Sequence, residues 1–207
     1  MIINVFVVAA AKGNSSDSNP LSNRMERVIR QVKRIHRLID DMLDISRIEA
    51  GKLHYAPTVF DFHSLVRELA VRFESQGDGT CVDVDLDQGN EVVSIKADYD
   101  RIDQVLTNLV TNSIKYGDGQ YVRIKTRIND GSLQISVIDR GKGIEAENLE
   151  RIFQKFERGI SHDNISGLGI GLYVSRSIIL AHGGKISVKS QPGEGSEFMF
   201  HLPVHRP

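Results

Sequence analysis

Two asparagines stand four residues apart in Asn108-Leu109-Val110-Thr111-Asn112-Ser113-Ile114-Lys115-Tyr116. On a helix that spacing puts both side chains on one face. Two carboxamide oxygens are hard, neutral ligands that suit a Mg²⁺ ion bridging nucleotide phosphates. Lys115, one turn beyond Asn112, adds a positive charge for the same phosphates. Read alone, the cluster is equally the polar surface of an ordinary helix. A second cluster, Asp139-Arg140-Gly141-Lys142-Gly143-Ile144, directly follows an apolar run of strand character. A carboxylate at a strand end can accept a hydrogen bond from an adenine amino group. Glycines at alternate positions let the backbone approach a ligand closely. By itself this is also a turn with a well-placed aspartate.

A third cluster, Gly167-Leu168-Gly169-Ile170-Gly171-Leu172, leads into a helix. Such a loop offers free backbone N–H groups and the positive end of a helix dipole to a phosphate chain. It does not follow a strand in a βαβ unit, so a dinucleotide-binding fingerprint lacks its structural context. In the fourth, Phe153-Gln154-Lys155-Phe156-Glu157-Arg158, two phenylalanines three apart on a short helix read as core. The polar stretch Gly159–Ser166 that follows reads as a mobile lid between the second and third clusters.

The elements that must position these groups follow from periodicity. A polar loop, Lys12–Pro20, precedes a long helix expected over about Leu21 to Ala50. Met25, Val28, Val32, Ile35, Ile39 and Met42 form a bundle seam along it, opposite a charged face, and Gly51 is placed to end it. A helix this long cannot bury its stripe alone. A short helix over Met1–Ala11 and a second copy of the chain are the expected partners. Beyond Gly51 helices are expected over Asp61–Phe73, Asp100–Tyr116 and Ile170–His182. Strands are expected over Cys81–Leu86, Val92–Ala97, Tyr121–Ile128, Ser132–Ile138, Lys185–Ser190 and Glu197–Leu202. The irregular alternation and the hairpins favour an α+β, two-layer sandwich over a doubly wound parallel sheet.

Composition narrows the partners. The 207 residues are 40% apolar, enough for one substantial core and a smaller helical piece. With 26 basic and 27 acidic residues, nothing global argues for nucleic acid or an anionic membrane surface. Cys81 is the single cysteine, which excludes a disulfide framework and reads as a small buried hydrophobe. Met1–Ala11 lacks a basic leader, is interrupted by Asn4, and falls far short of the ~20 residues a membrane span needs. The expectation is a soluble, cytoplasmic polypeptide without membrane contact of its own, compatible with a membrane-anchored parent.

In their order along the chain, the four clusters resemble the nucleotide-binding boxes of two-component sensor histidine kinases. Ser46-Arg47-Ile48-Glu49-Ala50-Gly51-Lys52-Leu53 is similar to the signature ending that family's dimerisation hairpin. Ala181-His182-Gly183-Gly184 and Gly193–Phe198 match its closing strands. The resemblance implies a Bergerat-type ATP-binding fold over residues 55–207, of the superfamily shared with gyrase and Hsp90. Residues 1–54 would be a partial dimerisation and histidine-phosphotransfer hairpin. ATP would be held by Asn108, Asn112, Lys115, Tyr116, Asp139, Gly141, Gly143, Ile144, Phe156, Arg158, Gly167, Leu168, Gly169, Gly171 and Leu172. Asn108 and Asn112 would hold Mg²⁺ through the ATP phosphates. The resemblance further implies phosphoryl transfer to a histidine and on to a response-regulator aspartate, a receiver domain as partner, and a homodimer.

The family's acceptor-histidine box is not found, and by the family's spacing it would fall just upstream of Met1. Its neighbouring acidic base is then absent as well. His36 is the only histidine of the helical region, and its neighbours do not match the box, so it reads as helix surface. Relatives that hydrolyse ATP or phosphorylate serine carry a glutamate where Asn108 stands, because water or a hydroxyl needs a base there. A non-catalytic module that binds ATP, or merely dimerises, to regulate another kinase is the alternative. The missing acceptor favours that alternative and the intact boxes oppose it. Arg24, Arg27, Arg30, Lys33, Arg34 and Arg37 make a basic stripe that either docks a receiver domain or is solvated surface.

Overall fold

The computed structural model describes residues 20–75, 81–87, 92–117, 121–157 and 168–205. The expected Met1–Ala11 helix, the loop up to Asn19 and the Gly159–Ser166 lid lie outside the described residues. The chain divides into two compact units, Met1–Asp40 and Asp41–Pro207.

Helix α1 spans Pro20–Glu49. Proline suits its first position, where the missing N–H leaves no intrahelical bond unmade. Met25, Val28, Val32, Ile35, Ile39 and Met42 are each between 50 and 59% exposed, so the stripe is a solvent-facing apolar seam. The helix closes as the sequence predicts. Gly51 takes φ +63°, its N–H reaches the Ile48 carbonyl at 3.0 Å, and that of Lys52 reaches Arg47 at 2.9 Å. This double closure by a left-handed residue leaves few helix-end carbonyls unpaired. Among the described residues no helix is long and apolar enough to cross a membrane.

The second unit is built from β1 (Thr58–Asp61), α2 (Phe62–Glu74), β2 (Cys81–Asp85), β3 (Ser94–Ala97), α3 (Tyr99–Tyr116), β4 (Tyr121–Asn129), β5 (Ser132–Asp139), α4 (Gly171–Ala181), β6 (Lys185–Gln191) and β7 (Gly195–Pro203). The main sheet runs β2-β4-β5-β7-β6. Only the β2–β4 pair is parallel. The β4–β5 hairpin turns through Asp130 and Gly131, both at positive φ, the geometry that matches the natural twist of paired strands. Register places Ile124 beside Val137 and Val137 beside Phe198, so one face of the sheet is continuously apolar. Phe62, Leu65 and Leu69 of α2, Ile102, Leu106 and Leu109 of α3, and Val174 and Ile178 of α4 share one core with that face. The result is an α+β, two-layer fold.

Element bounds agree with the sequence-based expectation to within one or two residues, with one strand missed. Strand β1 pairs antiparallel with β3, and its four residues are too few for alternation to register. Asp61 ends it and caps α2. Its carboxylate accepts from the N–H groups of His63 and Ser64, both at 3.2 Å, and of Val93 at 3.0 Å. Burial tends to raise its pKa, but these bonds and the Ser64 hydroxyl outweigh it and hold the carboxyl below its usual range.

Two side chains differ from expectation. Cys81 is exposed rather than buried, because it opens β2, an edge strand whose inward position falls on Val82. Phe153 and Phe156 do not share a helix. Short 3₁₀ turns span Ala146–Asn148 and Arg151–Phe153. The second ends with Phe153 buried, and Phe156 turns to φ +63° and stands 62% exposed.

Candidate nucleotide-binding site

Helix α3 carries the two asparagines. Its start is fixed by Asp98, whose carboxylate caps Arg101 N–H at 3.1 Å and accepts from Ala56 N–H at 2.8 Å. The backbone N–H of Asp98 donates to His182 Nε2 at 3.0 Å. That bond makes Nε2 an acceptor, so the opposite nitrogen carries the proton and donates to the Ile178 carbonyl at 2.8 Å. The end of α4 is thereby joined to the beginning of α3.

Gln104, Asn108 and Asn112 lie on one face of α3 at four-residue intervals. Asn108 Nδ2 donates to the Gly171 carbonyl at 3.3 Å and to Ser175 Oγ at 3.4 Å. Asn112 is half-buried and has no hydrogen-bond partner among the described residues. The Lys115 ammonium lies 4.9 Å from the centroid of the Tyr116 ring, which is itself exposed.

Asp139 is the last residue of β5, the middle strand of the sheet, and is 5% exposed. One oxygen accepts from Gly141 N–H at 2.9 Å and from Ser196 N–H at 3.2 Å. The other accepts from the Ser113 hydroxyl at 3.4 Å. Burial raises its pKa above the ordinary carboxylate value, and these three bonds offset only part of that. Gly141 is needed for a reason the sequence did not disclose. A Cβ there would run into the Tyr116 carbonyl and Gly117 Cα, so what crowds it is the protein's own backbone at the end of α3. Ile144 N–H is engaged by Ser190 Oγ at 2.8 Å, and Gly143 takes φ +70°.

Of the third and fourth clusters, Leu168, Gly169, Gly171 and Leu172 are half-buried, and Gly171 begins α4. Phe156 N–H donates to the Gly169 carbonyl at 3.1 Å, joining the two clusters directly. Arg158 and Gly167 lie outside the described residues. The structure therefore brings Asn108 against Gly171, and Phe156 against Gly169, and sets Asp139 beneath the end of α3. Sequence reasoning missed Ser113, Ser175 and Ser196. Only Ser175 left a trace, as a hydroxyl within the apolar run of α4. Ser196 faces Asp139 through strand register, which one sequence does not reveal.

Among the described residues no three His, Cys, Asp or Glu side chains converge as metal ligands. Neutral amide oxygens are the donors at hand, and they suit a hard cation that arrives with anionic phosphates. Residues 97–206, more than half of the chain, match the family described as histidine kinase-, DNA gyrase B- and HSP90-like ATPase. The chain belongs to that family. Within this ATPase family it is similar to sensor protein SrrB of Staphylococcus aureus, at 28% identity over 201 residues, covering 96% of the chain and 34% of SrrB. It is also similar to the alginate biosynthesis sensor protein KinB of Pseudomonas aeruginosa, at 31% identity over 181 residues, covering 87% of the chain and 30% of KinB. Among solved structures it resembles histidine kinase ThkA in complex with response regulator protein TrrA. The TM-score is 0.67 and the identity 27%, over 99% of this chain and 57% of that one. The ATPase domain is that of a sensor histidine kinase. The chain spans about a third of the length of the curated relatives it matches.

Proposed function

We propose that the chain binds Mg²⁺-ATP and transfers its γ-phosphoryl group to a histidine, from which it passes to an aspartate of a response-regulator receiver domain. The observation that carries this reading is the pairing of a neutral Asn108, tied to the first residue of α4, with a buried Asp139 at the end of the central strand. Asp139 offers an adenine amino group a carboxylate oxygen that, among the described residues, is bonded only to Ser113. The loop leading to Gly171 offers backbone N–H groups to the phosphates. Asn108 and Asn112 would hold the Mg²⁺, which neutralises charge on the phosphate oxygens. Lys115 and Tyr116, with Gly141, Gly143, Ile144, Phe156, Arg158, Gly167, Leu168, Gly169 and Leu172, complete the proposed walls.

An amide at residue 108 cannot take a proton. Water or a serine hydroxyl needs a base at the moment of attack, whereas a neutral imidazole presents a lone pair already. The N–P bond forms as the bond to the ADP leaving oxygen breaks, and no proton has to reach Asn108. In this reading residues 1–54 belong to the dimerisation and phosphotransfer hairpin and residues 55–207 to the catalytic domain. The exposed seam of α1 supports a second copy as its cover. TrrA in complex with ThkA supports a receiver domain as partner.

The test supplies a separate helical hairpin bearing an acceptor histidine, together with γ-labelled ATP. Acid-labile, base-stable label on the hairpin is the expected result. Tight ATP binding with no transfer would instead make the chain a regulatory module for another kinase.

A further inference from the structure

Asn108 has a two-ended side chain, and which end faces the nucleotide decides whether it attracts or repels a cation. The Gly171 carbonyl can only accept a hydrogen bond, so at 3.3 Å it demands the NH₂ end of Asn108. The carboxamide oxygen then lies on the opposite arm. Ser175, one turn further along α4, is completely buried, and its Oγ accepts from the same NH₂ at 3.4 Å. A hydroxyl in such surroundings is costly unless bonded, and Asn108 is the partner that the structure gives it. Turning the amide over would set its oxygen against the Gly171 oxygen and aim hydrogens at the cation.

We infer that Ser175 is a positioning residue that, with the Gly171 carbonyl, fixes the Asn108 amide with its oxygen turned to the metal and so sets the Mg²⁺ requirement of nucleotide binding. The inference rests on the nucleotide reading above and adds to it a residue outside the expected boxes. The role of Ser175 is to act through Asn108, not on the nucleotide or the metal. It holds one of the two acceptors that anchor Asn108, and the Gly171 carbonyl holds the other.

The matched variants are Ser175→Thr and Ser175→Val, nearly equal in volume and differing in a hydroxyl against a methyl, with Ser175→Ala as the small control. Nucleotide affinity is measured by calorimetry across a Mg²⁺ series and again in EDTA. Thr should keep the wild-type Mg²⁺ dependence. Val and Ala should need roughly two- to tenfold more Mg²⁺ for half-maximal effect, as the loss of one neutral hydrogen bond allows, with affinity in EDTA unchanged. In parallel, the Asn108 side-chain NH₂ signals in a nitrogen-15 spectrum should shift in Ala but not in Thr. Should Val fail to fold, Ala and the NMR signals decide. Equal behaviour of the hydroxyl and methyl variants, or equal losses with and without Mg²⁺, would overturn the role of Ser175 and leave the ATP reading standing. A folded wild-type protein that binds no adenine nucleotide would overturn both.

Discussion

Arg101 donates from a single nitrogen, Nη1, to both carboxylate oxygens of Asp44, at 2.9 Å each. Gln104 joins the pair. Its amide donates to Asp44 Oδ2 at 2.8 Å, and its carbonyl accepts from Arg101 at 2.8 Å. Asp44 sits near the end of α1 and is buried, while Arg101 and Gln104 lie in the first turns of the helix that carries Asn108 and Asn112. The beginning of the candidate site is thus pinned to the last turns of α1, just ahead of the signature segment, by a closed polar network.

Removing one member should therefore cost more than a surface ion pair. Asp44→Ala leaves Gln104 as the side-chain partner of Arg101 among the described residues, and we expect a loss of about 2–3 kcal/mol, below the usual figure for a fully buried pair because Arg101 keeps some solvent. For a unit of this size that corresponds to a fall of roughly 5–10 °C in Tm. Thermal unfolding measures it, and an unchanged Tm would show that the network is incidental.

Asp139→Asn should separate stability from binding. The folded-state pKa of Asp139 is raised by burial, so ionising it opposes folding. Its contribution to stability falls as pH rises from the unfolded value towards the folded one, and stays reduced above. Asparagine keeps an acceptor for Gly141 and Ser196 without the charge. At neutral pH the variant should unfold at the wild-type temperature or above, yet bind ATP roughly 10–100-fold more weakly, the worth of a hydrogen bond to a charged group. A variant that binds ATP as the wild type does would remove Asp139 from adenine recognition.

Asp61 has the opposite sign. Its pKa is held down in the fold, so its stabilisation is complete above the unfolded value of about 3.9 and disappears as pH falls through the lower folded value. Asp61→Asn, which keeps a capping side chain, should be less stable than the wild type at pH 7 by about 1 kcal/mol. The gap should close in acid below that range. Denaturant titrations at pH 7 and pH 3 with the same gap would contradict the assignment.

The basic stripe of α1 is testable by salt. If it steers a receiver domain, Arg27→Glu with Arg30→Glu slows regulator association at low ionic strength while ATP affinity holds. The difference should fade as the screening length drops below about 8–10 Å. Stopped-flow association rates that match the wild type at low salt would leave the stripe as solvated surface.

What was legible depended on whether the signal was local. Gly51 ended α1 because a left-handed residue after a long periodic run has one common use. The β4–β5 hairpin was legible as two closely spaced strand runs, Tyr121–Ile128 and Ser132–Ile138, and the structure adds the Asp130-Gly131 turn that joins them. Asn108 and Asn112 were legible as a pair because helical spacing alone puts them together. Nothing local tells that Ser196 would donate to Asp139 or Ser175 accept from Asn108. Both contacts join residues more than fifty positions apart and exist only once strand order and helix packing are set. Phe156 failed for a related reason: spacing of three is helical only if the backbone stays right-handed, and here it reverses.

Helices α3 and α4 are joined at both ends of their contact, by Asp98 N–H to His182 at one end and by Asn108 to Gly171 and Ser175 at the other. Asp98, the cap of α3, and Asn108 are ten residues apart, and Gly171 and His182, the cap that closes α4, are eleven apart. At 1.5 Å per residue the two ends are about 15–17 Å apart along either helix. Equal spacing on both sides makes a parallelogram with two fixed rungs, which resists sliding of one helix along the other. Asn108 on α3 and Gly171 on α4, the proposed asparagine and glycine walls, therefore keep a constant longitudinal offset. If, as proposed, a nucleotide binds between them, discrimination between tri- and diphosphate would have to come from groups outside this frame, because the frame itself acts as a fixed ruler.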